Sequence, residues 1–191
     1  MYLSNEAILQ YFPITFPYRY IDEITSVDAN RIVASYCFKA DEFFYKGHFP
    51  GYPVTPGAIL MESSVQIGLL AFGMYLLGNG HVELSELSPA TMSVSQARLH
   101  SGITPANLDH LDLPFGVSSK ILSYRFFLAS SDLKYKQVIQ PEEKIIVTAD
   151  KIFFKLNKLK VKIKIETTAG ELVCKGIVSG FVVNINAWKK E

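Results

Sequence analysis

The run from Ala58 to Leu77 limits this 191-residue chain more than any other feature. It is mostly apolar, opens just after Gly57 and contains no proline. Such a run folds as a helix that must be covered on most of its surface. It is long enough for a membrane span, but Glu62, Ser63, Ser64 and Gln66 occupy its first half. The apolar remainder, Ile67 to Leu77, is 11 residues, which suits a buried core helix better than a bilayer. No basic and apolar leader precedes it, so the reading is a soluble cytoplasmic protein with no membrane contact.

The rest of the chain supplies strands to cover that helix. A short opening helix over 5–11, capped by Ser4 or Asn5, stops at Pro13 and Pro17. Strand-like runs follow at Tyr20–Val27 and Arg31–Phe38, joined by Asp28, Ala29 and Asn30, which favour turns. Beyond the helix come runs at 121–130, 144–155, 158–167 and 171–184. The third alternates cleanly, with Lys158, Lys160, Lys162 and Lys164 on one face and Leu159, Val161, Ile163 and Ile165 on the other. Strands and helix are segregated, which argues α+β with an antiparallel sheet. One long central helix wrapped by such a sheet is the hot-dog arrangement. The stretch 78–120 fits none of these elements and reads as an insertion after the helix within a single 1–191 domain, with a short helix near 105–111 opened by Thr104-Pro105.

The segment that carries chemistry is Gly47-His48-Phe49-Pro50-Gly51-Tyr52-Pro53-Val54-Thr55-Pro56-Gly57, followed by Glu62 and Gln66. Three prolines stiffen a loop that bears one imidazole, so His48 is held without being ordered later. Gly57 opens the helix, where backbone N–H groups lack partners and the dipole is positive, a ready donor for an oxyanion. Glu62 sits on an otherwise apolar helix, where a carboxyl should be desolvated and able to act as an acid near neutral pH. Gln66, four residues on, stacks on the same face and can orient it. Each feature alone has a plain structural explanation. Base, acid and helix-terminal donor within 15 residues point together to a site.

This string resembles the signature of the 3-hydroxyacyl-acyl-carrier-protein dehydratases of the hot-dog fold, the FabZ/FabA type. That signature runs Gly-His-Phe-Pro-Gly-x-Pro-Val-x-Pro-Gly, then an acid five residues on and a glutamine four further, and its spacing is intact here. The likeness extends to Phe12-Pro13 with Phe16 to Asp22, to Asp41-Glu42-Phe43-Phe44, to Lys134-Tyr135-Lys136 with Pro141 and Glu143, and to Gly170 through Cys174. Two departures stand out. Ile14-Thr15 replaces the His-Arg often found in the family's opening, and 78–120 is roughly thirty residues longer than in compact members. The resemblance implies removal of water from a 3-hydroxyacyl thioester in fatty acid or related polyene or polyketide synthesis. Glu62 in place of aspartate resembles members that dehydrate without shifting the double bond.

On that reading His48 takes the C2 proton, Glu62 protonates the leaving hydroxyl, and the Gly57 N–H, beside Pro56, receives the thioester oxygen, with Gln66 behind. Alternatively His48 handles both protons and Glu62 only holds a water or hydroxyl. No resident cofactor is expected, since phosphopantetheine arrives with the substrate. No metal is expected either: His48, His81, His100 and His110 show no ligand spacing. In the family the histidine of one subunit meets the acid of the other, which implies a homodimer with shared sites or a higher oligomer of dimers. The carrier protein is acidic, and Lys134, Lys136 and Arg125 are candidates to meet it. The 158–164 lysine row reads better as a solvated face. The chain's formal charge is +1, but residues 1–119 carry −6 and the remainder +7, which argues against nucleic acid while leaving a basic strand-rich half. A hot-dog thioesterase and a non-catalytic acyl-binding module are the rival readings. Cys37 and Cys174 read as free thiols in a reducing compartment.

Overall fold

The structure is a computed structural model that describes residues 3–82 and 123–184. The described elements are α1 (Asn5–Gln10), β1 (Glu23–Val27), β2 (Arg31–Cys37), a 3-10 turn (Phe43–Lys46), α2 (Gly57–Gly78), β3 (Tyr124–Tyr135), β4 (Lys144–Lys155), β5 (Lys158–Thr167) and β6 (Leu172–Asn184). The six strands form one sheet in the order β1-β2-β4-β5-β6-β3, and every neighbouring pair is antiparallel. One long helix against such a sheet is the expected hot-dog arrangement. The expected helix at 105–111 and nearly all of the 78–120 insertion lie outside the described residues.

Alternation in β5 drives the packing. Leu159, Val161, Ile163 and Ile165 are all fully buried, while Lys162 and Lys164 stand exposed on the opposite face. Ile145, Val147 and Ala149 of β4 continue the same inner face. Against it lie Ile67, Leu69, Ala71 and Phe72 of α2, none of them exposed. Ile59, Leu60 and Leu70 belong to the same core cluster. By length and composition α2 could cross a membrane, yet 78% of its most apolar window is buried inside the fold.

Local chemistry fixes the ends of the helices. Ser4 caps α1, its side chain accepting from the Ala7 N–H at 3.2 Å. At the far end of α2, Asn79 Oδ1 accepts from the Leu3 N–H at 2.6 Å and Asn79 Nδ2 donates to Tyr75 O at 3.1 Å. In its middle α2 widens into a π-helical turn over Gln66–Ala71. Gly68 lies in this turn, and a Cβ there would stand 2.8 Å from Ile163 Cδ1 and 3.1 Å from Ala149 Cβ. The helix therefore presses on the sheet at a point that admits no side chain.

A second close approach joins the edge strand to the sheet. A Cβ at Gly176 of β6 would overlap the Asp132 carbonyl of β3, which is backbone and cannot swing away. Gly47, by contrast, has open space around it and an ordinary φ of −119°. Gly176→Ala should cost about 2–3 kcal/mol in urea denaturation, while Gly47→Ala should change stability by less than about 0.5 kcal/mol.

Candidate active site

The histidine loop is tied down from both sides. His48 N–H donates to Phe44 O at 3.0 Å, and Val54 N–H donates to His48 O at 3.0 Å. Within the loop, Phe49 and Tyr52 exchange backbone bonds of 3.2 and 2.9 Å around Gly51, whose φ of +80° a glycine adopts without strain. Thr55 N–H donates to Ile139 O at 2.7 Å, and the Thr55 hydroxyl bonds the Tyr45 hydroxyl at 2.7 Å. Burial pushes the Tyr45 phenol up to about 12, so it keeps its proton.

This frame sets the tautomer of His48. Its Nδ1 lies 2.9 Å from Val54 O, and a carbonyl only accepts, so Nδ1 carries the proton. Nε2 is left with its lone pair free to take one. The ring stacks on Phe49 with centroids 4.2 Å apart. The imidazole is part-buried, and Phe49 beside it is exposed.

Glu42 anchors the approach to this loop, a role not apparent from the sequence pattern. It is 4% exposed and accepts from the Tyr36 hydroxyl and from Lys39 N–H at 3.3 Å. Burial first, then the bond to Glu42, raises the Tyr36 pKa, so its phenol is a permanent donor. From Glu42 the 3-10 turn leads directly to Gly47 and His48.

The acid side is built on α2. No side chain caps this helix, whose flanking residue is Pro56. Among the described residues no carbonyl accepts from the Gly57 or Ala58 N–H, so two donors point outward at the positive end of the dipole. Behind them, Tyr135 of β3 donates its hydroxyl to Gly57 O at 2.9 Å, and a Cβ on Gly57 would rest 3.5 Å from that ring. This contact spans 78 positions and has no local sequence signal.

Gln66 is fully buried with its amide bonded at both ends. Its Nε2 donates to Glu62 Oε1 at 2.9 Å and to Tyr18 O at 2.7 Å, while Oε1 accepts from Tyr20 N–H at 2.7 Å. Ser63 adds a bond to Tyr20 O at 3.1 Å. Glu62 is thus oriented by Gln66 as the four-residue spacing suggested. It is only part-buried, however, so the full desolvation expected of it is absent within one chain. In the first turns of α2, Ala58 is exposed and Met61 and Glu62 are part-buried, while Ile59 and Leu60 are buried. Tyr18, missed in the sequence, gives its carbonyl to the same Gln66 amide that holds Glu62.

His48 and Glu62 are therefore held by separate networks, and no hydrogen bond among the described residues joins them. The three basic candidates are also divided. Lys134 and Lys136 flank Tyr135 at one end of β3 and are exposed. Arg125 sits at the other end, about 30 Å along the strand. It is half-buried with Nη1 donating to Tyr124 O at 3.0 Å, and burial lowers its pKa. Strand spacing, not sequence proximity, breaks that grouping. In its place the register sets Lys134 beside Lys175 and Lys175 beside Lys164, three exposed lysines abreast on adjacent strands.

A family model described as FabA-like domain matches residues 13–119. Curated proteins similar to this chain include the 3-hydroxyacyl-acyl-carrier-protein dehydratase FabZ of Acinetobacter baylyi, 36% identical over 39% of this chain and 51% of that protein. FabZ of Xylella fastidiosa is 33% identical over 53% of this chain and 62% of its own length. FabZ of Bacillus licheniformis is 25% identical over 79% and 94%. The chain thus spans about half the length of the first of these relatives. Among solved structures, the dehydratase heterocomplex ApeI:P of Xenorhabdus doucetiae matches with a TM-score of 0.58 at 10% identity, covering 95% of this chain and 93% of that one. A mutant thioesterase of Pseudomonas aeruginosa matches with 0.50 at 11% identity, covering 84% and 80%. At such identities the likeness is one of fold, the hot-dog.

Gln66 is the joint of the acid side. Gln66→Ala should cost about 2–4 kcal/mol in chemical denaturation, because the Tyr20 N–H and Tyr18 O are left without their buried partner.

Proposed function

The chain belongs to the FabA-like domain family, and we propose that it removes water from (3R)-3-hydroxyacyl thioesters to give trans-2-enoyl thioesters. The observation that carries this reading is the fixed tautomer of His48, whose Nε2 is free, on the loop that leads into an uncapped helix N-terminus. His48 Nε2 takes the proton from C2. The Gly57 N–H, following Pro56, receives the negative charge that develops on the thioester oxygen. Glu62, oriented by Gln66, protonates the hydroxyl leaving C3. No resident cofactor takes part, and phosphopantetheine arrives with the acyl group.

His48 and Glu62 lie in separate networks, and a homodimer in which one protomer's histidine meets its partner's acid completes the site. Such dimers can stack further. The substrate comes on an acyl carrier protein in fatty acid or related polyene or polyketide synthesis. The acidic carrier meets Lys134 and Lys136, which neighbour Tyr135 and so the Gly57 end of α2. Two free thiols, Cys37 and the buried Cys174, fit a cytoplasmic setting.

Hydration of a crotonyl thioester tests the assignment. His48→Ala and Glu62→Ala should each lower kcat by about 100-fold or more, and wild-type activity in both would overturn it. Gly57→Pro isolates the oxyanion donor. Pro56 has ψ 139°, which accepts a following proline, and the first helical position tolerates one. That variant should keep its helix by circular dichroism and lose about 10²–10³ in kcat. Release of free thiol in place of hydration would indicate a thioesterase.

Carrier binding should weaken as the screening length falls from about 30 Å at 0.01 M salt to about 8 Å at 0.15 M. An affinity that does not change with ionic strength would remove the lysines from the docking surface.

A further inference from the structure

The start of α2, assigned above to the thioester oxygen, presents two N–H groups whose peptides are held by different parts of the chain. Pro56 O accepts from Ile59 N–H at 2.9 Å and from Leu60 N–H at 3.2 Å, so the Pro56–Gly57 peptide is fixed by the helix itself. Gly57 O accepts from the Tyr135 hydroxyl at 2.9 Å, so the Gly57–Ala58 peptide is also tied to β3. A carbonyl that accepts a hydrogen bond polarises its own peptide and makes the N–H of that peptide a stronger donor. The Tyr135 bond therefore acts on the Ala58 N–H, one residue beyond the donor already assigned. Ala58 is exposed, and no carbonyl among the described residues takes its N–H.

The sheet fixes Tyr135 for this task. It pairs in register with the fully buried Cys174 of β6, and the next residue, Lys136, donates its N–H to Val173 O at 2.8 Å. Its ring lies 3.5 to 3.7 Å from the point that a Cβ on Gly57 would occupy, so the phenol rests against the first turn of the helix. A second side chain joins the same two elements: the Ser131 hydroxyl donates to Met61 Sδ at 3.3 Å. Tyr135 is 44% exposed, and burial is the first cause that raises its pKa, so the hydroxyl keeps the proton it donates.

We propose that Tyr135 is a positioning residue for the dehydration, aiming and polarising the Gly57–Ala58 peptide so that the Ala58 N–H joins the Gly57 N–H as a second donor to the thioester oxygen. The proposal rests on the reading that this helix start receives that oxygen. In the step, the C2–H bond breaks and its proton goes to His48 Nε2. The electron pair spreads onto the thioester oxygen, where the two N–H groups meet the charge. It returns as the C2=C3 bond when the C3–O bond breaks and the hydroxyl leaves as water with the proton of Glu62. Tyr135 neither gains nor loses a proton.

The test compares Tyr135→Phe and Ser131→Ala in the full chain. Tyr135→Phe keeps the ring and removes only the hydroxyl, while Ser131→Ala removes the other side-chain bond between β3 and α2. In crotonyl thioester hydration, kcat of Tyr135→Phe should fall about fivefold with KM within about twofold, and Ser131→Ala should match wild type. A second readout needs no turnover. A butyryl pantetheine thioester labelled with 13C at its carbonyl has neither the C3 hydroxyl nor the double bond, so it binds without reacting. Its infrared carbonyl band should be lowered on binding to wild type and to Ser131→Ala, and should move back toward the free position in Tyr135→Phe. An unmoved band or wild-type kcat in Tyr135→Phe overturns the proposal, as does an equal effect of Ser131→Ala, which would make the contact one of general docking. A band that wild type leaves at its free position sinks the oxyanion reading of the helix start, and a wild type that does not hydrate the crotonyl thioester sinks the dehydratase reading. The proposal falls with either.

Discussion

The buried amide of Gln66 is the bond on which the acid side of this protein depends. One side chain joins the helix to the segment before β1 and also orients Glu62. Its carbonyl meets the Tyr20 N–H and its NH2 meets the Tyr18 carbonyl, so it acts as one rung of backbone pairing supplied by a side chain. A buried polar group is costly unless satisfied, and this one is satisfied at both ends. The position of the carboxyl is therefore set by the same contact that sets the chain path from Tyr18 to Tyr20.

The base side follows a different logic. His48 is held by its own loop and by Glu42, through backbone carbonyls and one buried carboxylate. No hydrogen bond among the described residues joins His48 to Glu62, but the buried Tyr20 ring packs against Tyr36 and Phe44 between the two networks.

How much was legible in the sequence depended on the range of the interaction. β4 and β5 were read to the residue, because β5 alternates along its buried length and β4 alternates from Ile145 to Ala149, before the register shift at Lys151 and Phe153. β1 was placed three residues early, since Tyr20 to Asp22 look like strand while Tyr20 is bonded to Gln66 and not to a neighbouring strand. β3 runs on to Tyr135 where the reading stopped at 130, because Ser130, Ser131 and Asp132 carry no alternation yet pair in register with β6. His48, Glu62, Gln66 and Gly57 were legible because a spaced motif marks them within twenty residues. Tyr18 and Tyr135 were not, because their partners, the Gln66 amide and the Gly57 carbonyl, are brought to them only by the folded sheet and helix. Arg125 was misgrouped with Lys134 because closeness in sequence says little along an extended strand.

The widened turn of α2 has a consequence for how such a helix can be tuned. A π-type turn holds one more residue than an α-turn, so it rotates whatever precedes it relative to whatever follows. One residue corresponds to about 100° around the axis. Glu62 lies before Gln66–Ala71 and the tightly buried Phe72–Gly78 segment lies after it. The turn is thus an angular offset set into a single rod, which sets the direction of the part-buried Glu62 apart from that of the buried residues at the far end.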